Sequence, residues 1–217
     1  MSSTNRSKVR ESHVADYYVT PINSIKDFLD KADGVIDFDF SCVVDCCAGG
    51  NNKTDKDAFH PMSYPTALKE KYNVDVTSFD IREDSLADYK FDYLNTGVLN
   101  VLGEQPTLII TNPPFSIATQ MIEKAISDVK FGGYVVALLR LNFFGSKERE
   151  SFFKEHMPEY CFVHHIRMSF TDKKDSEGFT IYDKDGIPKK GGTDSIEYAH
   201  FVFRKGYNPE YTKLFYV

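Results

Sequence analysis

Ser41-Cys42-Val43-Val44-Asp45-Cys46-Cys47-Ala48-Gly49-Gly50 is the stretch of sequence that decides the fold. Its first half is a short apolar run, which predicts a buried strand, and its last three residues predict a tight turn. Glycines at such a strand end let a ligand approach the backbone closely, because no Cβ intervenes. The same turn also fits an α/β protein with no ligand there. It lacks the Gly-x-Gly-x-x-Gly spacing that holds a pyrophosphate, so a ligand without phosphates fits better than a dinucleotide.

Helices and strands alternate on both sides of this stretch. Apolar spacing predicts helices at residues 20–32, 64–72, 117–126 and 147–156, and further strands at residues 74–79, 107–111, 133–139, 161–166 and 197–204. Strands buried on both faces that alternate with helices predict a mostly parallel sheet with helices on each side. Residues 169–195 interrupt the pattern and predict a long loop or hairpin, which in a compact domain is usually functional or disordered.

The length and composition limit the class of protein. The 217 residues predict one domain, residues 16–217, preceded by a flexible arm of residues 1–15. No apolar run approaches the roughly 20 residues that span a bilayer, and the polar start lacks the apolar stretch of a signal peptide, so we expect a cytoplasmic protein. The net charge of −6 means that any nucleic-acid contact needs a local basic face. The four cysteines have no zinc-site spacing and predict reduced thiols, with no metal site.

Two aspartates are candidates for binding a nucleoside. Asp80 ends the strand of residues 74–79, where a carboxylate can accept hydrogen bonds from both hydroxyls of a ribose. Asp92 is a candidate acceptor for the amino group of an adenine. Each also has an ordinary structural interpretation, Asp80 as a helix cap or turn residue and Asp92 as a surface aspartate.

Asn112-Pro113-Pro114-Phe115 directly follows a predicted strand and restricts the chemistry most. Its prolines hold the segment extended and stiff. The Pro113 carbonyl and the Asn112 side-chain oxygen can therefore converge as two acceptors on one exocyclic amino group, while Phe115 offers a face on which an aromatic ring can stack. The alternative is a plain connection from a strand to a helix, with Phe115 packed in the core.

In the order of these motifs, the sequence resembles the class I S-adenosylmethionine-dependent amino-methyltransferases, whose signature is Asp or Asn, then Pro-Pro, then Tyr or Phe. The resemblance extends from Tyr17 to about Tyr207. Tyr17-Tyr18-Val19-Thr20-Pro21 resembles the N-terminal cofactor motif of the members that methylate adenine in DNA. His60-Pro61-Met62-Ser63-Tyr64-Pro65 and Gly192-Thr193-Asp194-Ser195 are similar to segments of small phage-type DNA N6-adenine methyltransferases, which implies a bacterium or a phage-infected host.

The resemblance implies a Rossmann-like methyltransferase fold, with a mostly parallel seven-stranded sheet, helices on both faces and an antiparallel final strand. It implies S-adenosylmethionine as the cofactor and the N6 amine of an adenine flipped out of double-stranded DNA as the acceptor. The implied catalytic residues are Asn112, Pro113, Pro114 and Phe115. The implied cofactor-binding residues are Tyr18, Thr20, Pro21, Asp45, Cys47, Ala48, Gly49, Asp80, Ile81, Asp92 and Asn112.

Two departures from the family pattern keep alternatives open. The turn reads Cys47-Ala48-Gly49-Gly50 rather than ending in Gly-x-Gly, and the catalytic loop begins with Asn112 rather than the Asp common in DNA-modifying members. RNA bases and protein glutamine therefore remain alternative substrates, as do a catalytically idle cofactor-binding module and a nicotinamide oxidoreductase as alternative functions. Residues 142–149 and 169–195 are placed to read a target sequence, and the lysines of the second segment could meet phosphates, although its acids equally fit a solvated surface.

Overall fold

A computed structural model describes residues 18–193 and 196–217 of the chain. Its strands are β1 Val43–Asp45, β2 Val76–Asp80, β3 Tyr89–Lys90, β4 Leu108–Thr111, β5 Tyr134–Arg140, β6 Tyr160–Val163, β7 Tyr198–Arg204 and β8 Lys213–Tyr216. Its helices are α1 Ile22–Asp33, α2 Ser63–Tyr72, α3 Val98–Leu102, α4 Ala118–Asp128 and α5 Glu150–Glu155. All strands join one sheet in the order β3-β2-β1-β4-β5-β7-β6-β8. The expected alternation of strands and helices is confirmed.

Helices cover both faces of the sheet because its central strands are apolar on both sides. Along β5, Val136 packs with α1 and α2, whereas Val135 and Ala137 pack with α4. This alternation follows from the two-residue period of a strand. Burial on both faces also explains why these strands read as continuous apolar runs in the sequence. Among the described helices, none combines the length and apolar character that a membrane span requires.

The part of the sheet beyond β5 differs from the predicted topology in two strands, β7 and β8. The antiparallel strand is β7, which pairs with β5 and β6, but it is not the final strand. The last described strand is β8, which lies parallel to β6 at the edge, so the described residues form eight strands rather than the predicted seven. The sequence analysis assigned no strand to residues 213–216, although Leu214-Phe215-Tyr216-Val217 is an apolar run. The side chains of Lys213, Leu214 and Tyr216 are exposed at this edge.

Residues 169–193 form hairpin-like turns rather than an extended loop. Isolated bridges join Asp172 to Lys190, Lys174 to Thr180 and Tyr182 to Pro188. The backbone N–H of Thr180 also donates to the Lys56 carbonyl at 2.9 Å, which docks the segment on the loop that follows β1. Residues 194 and 195 of the predicted loop, and the predicted arm of residues 1–15, lie outside the described residues.

Candidate active site

A pocket opens at the carboxyl ends of β1, β2 and β4. In open α/β sheets this is the edge at which ligands bind. Of the residues that the sequence predicted for the site, the pocket wall contains Tyr18, Cys47, Asp80, Ile81, Asp92, Asn112 and Pro114. The other predicted residues that the structure describes lie outside the wall, and they are Thr20, Pro21, Asp45, Ala48, Gly49, Pro113 and Phe115.

The turn after β1 is held in place by Asp80. The backbone N–H of Gly49 donates to Asp80 Oδ2 at 2.8 Å, and that of Arg82 donates to Oδ1 at 2.8 Å. Gly49 and Gly50 have φ values of 64° and 73°, in the left-handed region that favours glycine. A Cβ at Gly50 would lie 3.0 Å from the Cβ of Leu86. Asp80 therefore braces the turn, and each of its oxygens keeps a second lone pair for a ligand.

Asp45 ends β1 and is fully buried. Its Oδ1 accepts a hydrogen bond from the Cys47 backbone N–H at 3.1 Å, but its Oδ2 has no partner among the described residues. Burial raises the pKa of Asp45 to about 7, and the Asp80 carboxylate adds to the rise, whereas the neighbouring Thr111 hydroxyl and the Cys47 N–H lower it. Thr111 Oγ1 lies near Asp45 but not in hydrogen-bond geometry with it. An unpartnered buried acceptor costs roughly 1–3 kcal/mol, a cost that a cationic or N–H-bearing ligand group offsets.

Asn112 follows β4 and is fixed by a residue from the start of the described chain. Its Nδ2 donates to Oγ1 of Thr20 at 3.0 Å, and Thr20 is buried. The Asn112 Oδ1 is buried and has no partner within the described residues. Thr20, which was expected to contact the cofactor, contacts the catalytic loop in this structure, whereas Pro21 precedes the first residue of α1. Tyr17, from the same motif, lies outside the described residues.

The two prolines of the catalytic loop have different surroundings. Pro114 is extended, with φ −55° and ψ 124°, and its carbonyl accepts a hydrogen bond from the Ile117 N–H at 3.1 Å. That bond starts the turn leading into α4 and occupies the Pro114 carbonyl. Pro113 is buried and lies outside the pocket wall, and the role of its carbonyl as an acceptor beside Asn112 stays a prediction.

Phe115 lies among polar and aromatic neighbours. The Arg140 guanidinium carbon is 4.8 Å from the centroid of the Phe115 ring, and the Tyr18 ring stacks on it at 6.1 Å with an interplanar angle of 26°. The Nε of Arg140 is buried and has no hydrogen-bond partner among the described residues. The Tyr198 ring is a third neighbour, with its centroid 5.8 Å from that of Phe115 and an interplanar angle of 37°. An aromatic substrate that stacks on Phe115 therefore has to replace one of these neighbours.

Asp92 both caps a turn and lines the pocket. Its Oδ1 accepts a hydrogen bond from the Leu94 N–H at 3.0 Å, and its Oδ2 accepts one from Asn95 Nδ2 at 2.6 Å. The structural and functional interpretations of Asp92 are thus compatible. Beside it, Ile81 is 40% exposed and gives the wall an apolar surface on which a flat ring can lie.

Sequence reasoning missed several residues of the pocket wall, namely Cys46, Arg82, Tyr93, Leu94, Ile117 and Met121. Ile117 and Met121 belong to the helix predicted at residues 117–126; Met121 is buried in the core, and both residues also line the pocket. Arg82 is the second residue after β2, and its Nη2 donates to the Gly50 carbonyl at 2.9 Å. Contact with Cys46, together with burial, raises the pKa of the Cys47 thiol, so this part of the wall is uncharged.

Neither a family model nor a curated protein sequence matches this chain. Solved structures match it in fold. A candidate class I S-adenosylmethionine-dependent methyltransferase from Listeria monocytogenes has a TM-score of 0.52 and 14% identity, and the match covers 92% of this chain but 65% of that one. A candidate hemolysin from Lactococcus lactis has a TM-score of 0.54 and 11% identity, with 90% of this chain and 94% of that chain covered.

A candidate hemolysin from Streptococcus thermophilus is similar to the same degree, with a TM-score of 0.51 and 11% identity over 91% of this chain and 69% of that one. Identities this low relate the chains by fold alone. The sheet order, the helices on both faces and the ligand pocket at the carboxyl edge agree with that relation. The chain therefore has the Rossmann-like methyltransferase fold.

Proposed function

We propose that this chain is an S-adenosylmethionine-dependent methyltransferase that modifies the N6 amine of adenine in DNA. The observation that carries the proposal is the Oδ1 atom of Asn112, a buried acceptor without a partner among the described residues, at the wall of the pocket. Thr20 binds the other end of the same amide. An acceptor held in this way suits a ligand N–H.

The pocket fits the proposed cofactor in its polar and apolar groups. The remaining lone pairs of Asp80, which belongs to the pocket wall, suit the ribose hydroxyls. Asp45 is fully buried outside the wall, so its unpartnered Oδ2 can meet a cationic group of the methionine part only if the turn after β1 shifts. Ile81 and Met121 supply apolar surface for the adenine, with the Asp92 carboxylate beside them. When bound, S-adenosylmethionine supplies an electrophilic methyl group.

The catalytic loop is proposed to act by orientation and by accepting hydrogen bonds. Asn112 Oδ1 and the Pro113 carbonyl accept the two N–H groups of the substrate amine, which aims its lone pair at the methyl carbon. The same acceptors would stabilise the positive charge that develops on nitrogen as the new N–C bond forms and the sulfur–methyl bond breaks, with S-adenosylhomocysteine as the leaving group. One N–H proton of the methylated amine would then pass to solvent. Most of the rate increase comes from fixing the geometry of the reacting atoms.

Adenine in DNA is proposed from the motif order and from the segments of residues 60–65 and 192–195. A base in duplex DNA has to leave the stack to reach the pocket, which costs a few kcal/mol. Stacking on Phe115 offsets part of that cost once the ring face is free. Because Asn112 is neutral, an RNA base or a protein glutamine is the alternative acceptor, and the experiment below separates these substrates.

The test is methylation of host DNA during co-expression. The wild type and Asn112→Ala are each produced in a bacterial strain without its own adenine methylation, and genomic DNA is sequenced for N6-methyladenine. We expect methylated adenines in one sequence context with the wild type and none with the variant. In vitro, labelled cofactor is offered with DNA, RNA and protein pools; label only in RNA or protein contradicts the DNA substrate. Absence of label, despite stabilisation by S-adenosylhomocysteine, supports the idle binding module.

A further inference from the structure

Arg140 is the last residue of β5, which lies next to the strand that leads into the catalytic loop. Because parallel strands bring their carboxyl ends to one edge, Arg140 is placed at the same edge as Asn112. Its guanidinium carbon lies 4.8 Å from the centre of the Phe115 ring. The proposed catalytic loop therefore has a permanent positive charge beside its aromatic residue.

The charge of Arg140 is not neutralised within the described part of the chain. Its Nε is buried without a hydrogen-bond partner, and Arg140 makes no ion pair with a described acidic residue. Its contact with Phe115 supplies only a cation–π interaction. A partly buried guanidinium with an unused donor suits an oxyanion, whose oxygens can accept two parallel N–H bonds from its planar fork.

The position of this charge also bears on the reaction. Methyl transfer makes the acceptor nitrogen more positive, and a guanidinium beside Phe115 raises the energy of that state unless an anion lies between or next to them. Every nucleotide of a nucleic-acid substrate carries a phosphate, which is such an anion. A glutamine side chain brings none.

We propose that Arg140 binds the phosphate adjoining the nucleotide whose base enters the pocket, and that it leaves the Phe115 ring to do so. The inference rests on the proposed function and deepens it. The movement frees the ring face that the base needs, so stacking of the base and binding of its phosphate occur together. Arg140 is then a specificity-determining residue that favours a nucleic-acid strand over a protein.

The test compares Arg140 with Arg204, which provides a matched control. Arg204 lies over the Tyr134 ring at 5.5 Å, at the opposite end of the β5–β7 pairing. The binding constant for a duplex that carries the methylated sequence is measured against NaCl concentration for the wild type, Arg140→Gln, Arg140→Lys and Arg204→Gln. We expect Arg140→Gln to weaken binding about tenfold at low salt and to lower the slope of log K against log salt by about 0.9, the value for one phosphate. Arg140→Lys keeps the slope because it keeps the charge, and Arg204→Gln behaves as the wild type.

Affinity for S-adenosylhomocysteine identifies the anion, because the cofactor also carries a carboxylate. We expect Arg140→Gln to bind S-adenosylhomocysteine as the wild type does. An unchanged salt slope, or a tenfold loss of S-adenosylhomocysteine affinity, overturns the phosphate assignment. If Arg140→Gln does not fold, neutral methylphosphonate linkages are placed one at a time in the duplex with wild-type protein; one position beside the target adenine should cost about tenfold, and a uniform profile overturns the proposal.

These outcomes are separable from failure of the proposed function. A wild type that methylates DNA while Arg140→Gln binds it normally overturns the Arg140 proposal alone. A wild type that neither binds nor methylates DNA overturns both.

Discussion

Buried polar atoms at the two ends of the central sheet differ in whether they have hydrogen-bond partners. At the carboxyl ends of β1, β4 and β5, four such atoms have no partner among the described residues, and they are Asp45 Oδ2, Thr111 Oγ1, Asn112 Oδ1 and Arg140 Nε. At the amino ends, the buried Thr107 hydroxyl bonds to the Asp39 and Cys42 carbonyls. The half-buried Lys205 donates from its Nζ to the carbonyls of Ser127 and Val129 at 2.6 and 2.7 Å. Glu159 Oε2 is the exception there.

This difference distinguishes the edge of the sheet that stabilises the fold from the edge that is suited to bind a ligand. Each unpartnered buried polar atom costs roughly 1–3 kcal/mol, and natural structures contain few of them. Their concentration at the edge where α/β proteins bind ligands indicates that a ligand completes their hydrogen bonds. The amino edge, whose groups are mostly paired within the chain, serves stability. Local rules are expected to fail at functional sites and to hold elsewhere.

The largest expected effect is that of Asn112→Ala, compared with the same change at the paired end. Loss of the Asn112 acceptor should lower methyl transfer about 10²–10³-fold, the usual effect of removing one group that stabilises developing charge. Asn208 accepts a hydrogen bond from the Met157 N–H at 2.7 Å and donates one to the Lys154 carbonyl at 2.8 Å. Asn208→Ala should therefore lower the melting temperature but leave activity unchanged. Turnover and melting curves of both variants test the contrast, and an active Asn112→Ala would break it.

We expect Asp45→Asn to lower the affinity for S-adenosylhomocysteine and to raise the stability of the protein without ligand. Because burial raises the pKa of Asp45 to about 7, the folded state loses stability as pH rises from near 4 through 7, where the unfolded state ionises first. The Asn variant avoids this loss, so at pH 8 without ligand its free energy of unfolding should exceed that of the wild type by roughly 1–3 kcal/mol. Its affinity for S-adenosylhomocysteine should fall. Urea unfolding at pH 5 and pH 8 checks the sign, and a variant less stable at pH 8 contradicts it.

A paired network in the middle of the sheet gives the opposite pH dependence. Tyr64 bonds to His200 at 3.0 Å, and His200 bonds to His164 at 2.8 Å. Burial lowers the pKa of His164 to about 4, and that of His200 is lowered also. The unfolded state therefore binds more protons below pH 6.5, and stability should fall as pH drops from 6.5 toward 4, by about 2 kcal/mol at pH 5 from His164 alone, with a further loss from His200. Urea unfolding in the Asp45→Asn background isolates this effect, and a flat profile would count against it.

The smallest expected effect is that of Thr20→Val, which removes the hydroxyl that holds the Asn112 amide. We expect kcat for methyl transfer to fall by up to about tenfold, the worth of one hydrogen bond, with the Kd for S-adenosylhomocysteine unchanged. Thr20→Ser keeps the hydroxyl and should keep the rate. If Thr20→Val weakens cofactor binding while kcat stays constant, Thr20 contacts the cofactor, as the sequence motif alone predicted.

The elements predictable from sequence were those whose apolar spacing reports burial. Helix α1 and strands β1, β4 and β5 lie within a few residues of their predicted positions, since their buried side chains repeat with the period of the element. The edge strands β3 and β8 were missed because β3 has only two residues and β8 is largely exposed. Neither carries a periodic signal.

The sequence predicted which residues lie at the site, but it did not predict the contacts between them. Strand ends identified Asp80 and Asn112, because the edge of the sheet is set by topology. The hydrogen bond from Asn112 to Thr20 spans 92 residues, and local sequence carries no information on such a pair. The position of Arg140 could have been predicted in the same way, because it follows a predicted strand at the ligand-binding edge. Its contact with Phe115 could not, because that contact depends on packing across two strands.

The most direct test of the central claim is a calorimetric titration of the purified protein with S-adenosylhomocysteine, with NAD as the comparison ligand. We expect one molecule of S-adenosylhomocysteine bound per chain, weaker binding by Asp45→Asn and by Asp80→Asn, and no binding of NAD. Absence of heat with S-adenosylhomocysteine, or binding of NAD in its place, would contradict the claim that the unpartnered atoms of the carboxyl edge form a methyltransferase site.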